Sequence, residues 1–195
     1  DSYSAEMLWR EGHYIEAIQQ GERLLRELPA EPRLLRMRIK AWLADAYLQQ
    51  QELITATNYF HEVLDFYPTA LRILDVALPV QWLTKGKDGT DYIDRLRKSP
   101  RFTSESRSPF TVEVRVTGDG PSICLLGQKR YGCAKEPQVE PGQDRVAALL
   151  DHFHDDVFSP NLSLTQSDIT SLDGRAIRGS AKQAVDALLG HERTP

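Results

Sequence analysis

Residues 12–29 read GHYIEAIQQGERLLRELP, and residues 51–68 read QELITATNYFHEVLDFYP. Placed one above the other, Gly12, Tyr14, Ala17, Gly21, Leu24 and Pro29 fall on Gln51, Leu53, Ala56, Phe60, Val63 and Pro68, each pair 39 positions apart. An offset held over six positions is an internal repeat. Each copy is helical by period. In the first, Leu8, Ile15, Ile18, Leu24, Leu25 and Leu28 recur at three- and four-residue steps, as one buried helix face requires. Gly12 supplies the small residue of a tight helix–helix turn, and Pro29 and Pro32 end the run for want of an amide proton. In the second copy Ala41, Leu43, Ala44, Tyr47 and Leu48 form one helix and Gln51-Glu52 the turn. Leu53, Ala56, Tyr59, Phe60, Val63 and Leu64 form the other helix, and Pro68 closes it.

Residues 8–29 and 47–68 resemble tetratricopeptide repeats: a turn, an aromatic or large apolar residue, an alanine and a closing proline in each copy. The resemblance implies that Ala5 and Ala44 are the small packing residues of the first helices, and Ala17 and Ala56 those of the second. The family period is about 34 residues, so an offset of 39 implies extra residues near 31–37, in a longer first helix of the second unit. Gln51 replaces the turn glycine and Gly21 a large apolar residue. Because about three such units are normally needed to bury a continuous face, residues 69–83 are expected to form a capping helix, kinked or ended by Pro79. The resemblance also implies a groove lined by the first helices, with Glu6, Trp9, Arg10, Arg38, Asp45 and Gln49 facing it. Such a groove suits another protein's extended segment or helix, with Trp9 as apolar anchor. The alternative places Trp9, like Trp42, in the core. The groove lacks the dense lysine and arginine set that would clamp a terminal carboxylate.

Downstream the period changes. Residues 85–89 form a polar turn, 91–98 a short helix, and SPRFTSESRSP (99–109) has the composition of a linker. Phe110, Val112, Val114 and Val116 then alternate with polar residues, the two-residue period of a half-buried strand. Gly118-Asp119-Gly120 signals a hairpin; 123–127 and 130–134 follow as strands, 144–158 as an amphipathic helix, 162–164 as a short strand and 180–189 as a final helix. The expected fold class is α+β. Tetratricopeptide-like hairpins, as two repeats plus a capping helix, occupy 1–98; 99–109 is the linker; and 110–195 is a small antiparallel-sheet domain with two helices.

Cys124 and Cys133 are the only cysteines. If Gln128-Lys129 is the loop, Cys124 falls opposite Cys133 at a non-hydrogen-bonded position, where Cα atoms lie about 4.5 Å apart, within reach of a disulfide. The alternative is a pair of buried thiols. A bridge would imply an oxidising compartment, such as the bacterial periplasm or the extracellular space. The chain begins with Asp1 rather than Met, which leaves room for a signal or lipid-anchor segment upstream.

The bulk numbers narrow the function classes. With 24 basic and 28 acidic residues, net charge −4 and pI about 5.8, the chain carries no electrostatic footprint for nucleic acid. Arg95, Arg97, Lys98 and Arg101 read as a solvated helix end. No stretch approaches the roughly 18 apolar residues of a membrane span. Chemistry is sparse. His152 and Asp156, four apart on one helix, could share a divalent metal, but a site needs three or four ligands and no spacing recruits His13, His61 or His191. Since Phe153 faces the core, its neighbours on both sides are expected in solvent. Gly174 to Lys182 is a poor phosphate loop, because Lys182 lies three residues beyond the second glycine; Ser180 reads instead as a helix cap. The expected function is a noncatalytic protein-interaction scaffold in a bacterial envelope assembly, without cofactor. The rival is an enzyme whose site, metal-dependent through His152 and Asp156, lies in the C-terminal domain.

Overall fold

A computed structural model describes residues 2–30, 33–86 and 89–159. These fall into two compact units divided between Val63 and Leu64. The first contains α1 (Ser2–Arg10), α2 (Tyr14–Glu27), α3 (Arg33–Gln49) and most of α4 (Leu53–Phe66). The 39-residue offset is realised atom by atom at the turns. Gly12 has φ +83°, its N–H bonds the Trp9 carbonyl at 3.0 Å, and the His13 N–H bonds Leu8 at 2.9 Å. Thirty-nine residues on, Gln51 has φ +63°, its N–H bonds Leu48 at 3.0 Å, and Glu52 bonds Tyr47 at 2.9 Å. Both first helices thus end in the same left-handed cap. Gln51 adopts it at the expense of about 1–2 kcal/mol that glycine would not incur.

The interior repeats as well. Ala5, Ala44, Ala17 and Ala56 are all at 0 % exposure, so a methyl group is the largest side chain the helix crossings leave room for. Gly21 and Phe60 break the pattern for a visible reason. A Cβ on Gly21 would lie 2.4 Å from Cη2 of Trp42, so the indole occupies the volume that Phe60 fills in the other copy. The extra residues between the copies include the first turn of α3, where Arg36 Nη1 donates to the carbonyls of Leu25 at 2.8 Å and Leu28 at 2.9 Å. That guanidinium satisfies acceptors that the end of α2 leaves open.

The second unit corrects three expectations. The capping helix over 69–83 is instead α5 (Thr69–Ile73) followed by β1 (Leu78–Lys85). Asp75 takes φ +54° and the Val76 N–H bonds Leu71 at 2.9 Å, closing the helix as at Gly12 and Gln51. Pro79 is tolerated in an interior strand by its placement. Leu78 N–H bonds Arg101, and the Val80 carbonyl accepts from Glu105, both towards β2 (Phe102–Ser104). Pro79 turns its nitrogen the other way, before the ladder with β3 (Thr111–Thr117) begins at Gln81.

The second correction concerns 99–109, which is packed structure and not a linker. It carries β2, and Ser108, 1 % exposed, donates to the Pro79 carbonyl at 2.7 Å and accepts from Phe110 N–H at 3.0 Å. Thirdly, the sheet is mixed rather than antiparallel. Its order is β2-β1-β3-β4-β5, with β4 spanning Gly120–Leu126 and β5 Arg130–Lys135. β1 runs parallel to β2 and to β3, while β3, β4 and β5 are antiparallel. Helix α6 (Thr90–Leu96) makes the crossover between the parallel strands β1 and β2. The helical region expected to run through residue 98 therefore gives way to sheet at Leu78, and the α+β class holds for the chain.

One sheet face is apolar, with Val112, Val114, Ile123 and Leu125 fully buried. Helix α7 (Arg145–Phe158) contributes Leu149, Phe153 and Val157 to the same core, and Asp144 caps it by accepting from Val146 and Ala147 N–H. Phe102 of β2 meets Phe153 and Phe158 at 6.0 and 5.5 Å between centroids. The strand expected at 162–164, the helix at 180–189, the glycine-bearing turn before it and His191 lie outside the described residues.

Candidate functional site

The six residues assigned to a groove do come together on α1 and α3. Glu6 is the centre of a charged set. Arg38 grips it sidelong, Nε to Oε2 at 3.0 Å and Nη2 to Oε1 at 3.1 Å, and Arg10 adds Nε and Nη2 bonds to Oε1 at 3.2 and 3.1 Å. Burial pushes the Glu6 carboxyl upward, but hydrogen bonds and charge from Arg38, then Arg10, hold it below the usual carboxylate range. Asp45 makes the second node, accepting from Trp9 Nε1 at 2.7 Å and Gln49 Nε2 at 3.2 Å. Arg10 links the two nodes by lying 5.3 Å from the centroid of the Trp9 ring.

Of the two roles open to Trp9, its surroundings are those of the packed one. It is 8 % exposed, with its indole N–H engaged, so it positions the face and is not an open anchor. The accessible feature lies beside it. A recess of about 230 Å³ is lined by Leu35, Ile39 and Trp42, by Glu6 and Arg38, and by Tyr3, which is 69 % exposed. Sequence reasoning missed Tyr3 because it precedes the matched repeat positions.

In the second unit the pair His152 and Asp156 does not form a ligand set. Asp156 Oδ2 accepts the Cys133 N–H at 2.7 Å, covering an outward donor of edge strand β5, and His152 is exposed. Among the described residues no group of three or more His, Cys, Asp or Glu side chains is arranged to hold a metal ion. His154 was expected in solvent and is instead half-buried. Its ring stacks on Phe102 (5.8 Å, 25°) and Phe158 (6.4 Å, 28°), and Nε2 lies 3.1 Å from Ser99 Oγ. Burial lowers its pKa; Asp151 and Asp155 oppose this and Arg101 and Arg72 reinforce it, leaving it below the ordinary histidine value. Ser99, His154, Arg72, Arg101, Asp151 and Phe158 line a cleft of about 490 Å³. Ser99 and His154 are 55 residues apart, and no local motif announces the pairing.

Cys124 and Cys133 form a disulfide, with Cα atoms 4.1 Å apart. They pair directly as expected, although the turn differs. Gly127 N–H bonds the Lys129 carbonyl, Leu126 faces Arg130, and an irregularity between Leu125 and Leu126 restores the register. Beside Cys124 in the ladder stands Glu113, 3 % exposed, with ion pairs to Lys85 and Arg115 at 2.5 Å each. Burial raises the Glu113 carboxyl, but the two cations outweigh it and hold the pKa below its usual value. Among the described residues no helix is long and apolar enough to cross a membrane.

No family model matches the chain, and no solved structure matches it.

Proposed function

We propose that the helical unit is a protein-binding module of the tetratricopeptide kind, and that an extended segment of another protein lies across α1 and α3. The observation that carries this reading is the pair of turns 39 residues apart with equivalent hydrogen bonds, which sets two first helices side by side with their polar residues on one face. Glu6 and Asp45 balance Arg10 and Arg38, so net attraction is not the basis of recognition. The recess takes one apolar side chain of the guest, and the guanidinium N–H groups not committed to Glu6 meet its main-chain carbonyls. Trp9 and Asp45 hold the face rigid, which lowers the ordering entropy of binding.

The compartment proposed is extracytoplasmic, periplasm-like, with the module part of an envelope assembly. The Cys124–Cys133 bridge supports it, since such bonds persist where thiols are not held reduced. A photoreactive residue replacing Tyr3 is expected to capture a discrete partner that the same residue at exposed Arg23 on α2 does not capture, and Arg38→Glu is expected to abolish capture. Equal capture from both positions, or capture indifferent to Arg38→Glu, would overturn the assignment of the face. Thiol trapping in intact cells tests the compartment. A fully reduced pair would contradict it.

A further inference from the structure

We infer that Ser99 and His154 form a nucleophile–base pair, making the cleft of the second unit a hydrolytic site for small carboxylic esters. This reading is independent of the helical face and concerns residues that the binding function does not use. The geometry starts with the imidazole. His154 is held by ring stacking on Phe102 of β2 and on Phe158 one turn further along α7, so its plane is set by packing. That fixed plane directs Nε2 at the Ser99 hydroxyl, 3.1 Å away and within range for proton transfer.

The hydroxyl is oriented from its other side. Ser99 Oγ accepts the Arg101 N–H at 3.2 Å in the turn after α6, and with His154 in its Nδ1–H tautomer the Ser99 proton points at Nε2. The charged groups facing His154 are Asp151 and Asp155 from α7, Arg72 from α5 and Arg101 from the turn before β2, two of each sign. Burial is the largest influence and holds the imidazole below the ordinary histidine pKa, which favours its neutral form. Arg72 is paired with Asp155 at 3.3 Å and Arg101 with Asp75 at 3.1 Å, beside the cleft they line. A volume of about 490 Å³, with Pro100 and Phe158 as apolar surface, suits a small neutral ester.

In the step proposed, Ser99 Oγ attacks the ester carbonyl carbon and its proton passes to His154 Nε2. The carbon–alkoxide bond breaks and the leaving alkoxide takes that proton. Water then attacks the acyl-serine, giving one proton to Nε2 and returning it to Oγ as the carboxylic acid leaves. Oxyanion charge in each step is met by the guanidinium groups lining the cleft. Nothing is oxidised or reduced, and water is the only co-reactant.

The test uses the intact chain and a fluorophosphonate probe, whose phosphorus–fluorine bond breaks as Oγ–phosphorus forms. Peptide mass spectrometry is expected to place the adduct on Ser99, in the folded protein and not after denaturation. His154→Gln is expected to slow labelling about 100-fold, the scale of one general base, while circular dichroism confirms its fold. The wild-type labelling rate is expected to rise with pH through a midpoint below the ordinary histidine value. Absence of a Ser99 adduct on the folded wild type would reduce the contact to a structural tie and overturn the inference. So would labelling that survives denaturation, or that His154→Gln leaves unchanged.

Discussion

The most discriminating perturbation of the helical unit is Gly21→Ala, because two physical effects oppose each other there and the structure decides between them. In a solvent-facing helix position the change would stabilise by about 1 kcal/mol, alanine being the better helix former. At Gly21 the new methyl would stand 2.4 Å from Trp42 Cη2, 2.9 Å from Cζ3 and 2.8 Å from Leu43 Cδ2. Trp42 is 1 % exposed and Leu43 fully buried, so relief of the contact requires packed side chains to shift. Overpacking of this kind costs about 1–3 kcal/mol. Subtracting the propensity gain leaves a net loss of up to about 2 kcal/mol. For a unit of this size each kcal/mol moves Tm by roughly 4–8 °C. Thermal and urea unfolding followed by far-ultraviolet circular dichroism would read the change. The Trp42→Phe background sharpens the test, since the smaller ring vacates the contested volume. There Gly21→Ala is expected to lose most of its cost, only the contact with Leu43 Cδ2 remaining, a coupling of about 1–3 kcal/mol between the two sites. If Gly21→Ala raises Tm in the wild-type background, the close approach of α2 to Trp42, and with it the register of the two copies, is refuted.

Three further outcomes follow from the same geometry. Ser108→Ala removes a donor to Pro79 and an acceptor for Phe110 N–H at a site 1 % exposed, and should destabilise by about 1–3 kcal/mol; a silent substitution in urea unfolding would mean that 99–109 is the linker its composition suggests. Replacing both Cys124 and Cys133 by serine should lower stability by about 2–3 kcal/mol, the loop-closure value for a sequence separation of 9, and an unchanged urea midpoint would count against the bridge. Glu6 has a folded pKa below the ordinary glutamate value of about 4.5, so the stability it contributes is complete above that pH and is lost as pH falls through the folded value. Glu6→Gln should therefore flatten the acid limb below about pH 4.5, and an acid limb identical to wild type in a pH series of unfolding curves would argue against the Arg38 pairing.

How much could be read in advance depended on whether the signal was local. Helix periods and the Gly12 and Gln51 turns are short-range events, written in residues three or four apart, and the structure keeps them. The pairing of Cys124 with Cys133 survived even though its turn was misread, because the ladder register is held by burying Ile123 and Leu125 on one face, and a one-residue irregularity absorbs the difference. Residues 69–83 differ for the converse reason. Only Leu78, Pro79 and Val80 of β1 are buried on both faces, and so short an apolar run does not distinguish a strand from a helix. Only the partners β2 and β3 resolve it.

By itself, the sequence determined the 39-residue repeat, the alternation from Phe110 to Val116 with the turn after it, and which two cysteines could meet, since each rests on spacing along one chain. The tertiary structure alone decided that Trp9 is closed off by Asp45, that Ser108 makes a linker-like stretch into core, and that Ser99 meets His154. Those facts depend on segments brought together by burial of apolar surface, and no residue's own neighbours in sequence carry that information.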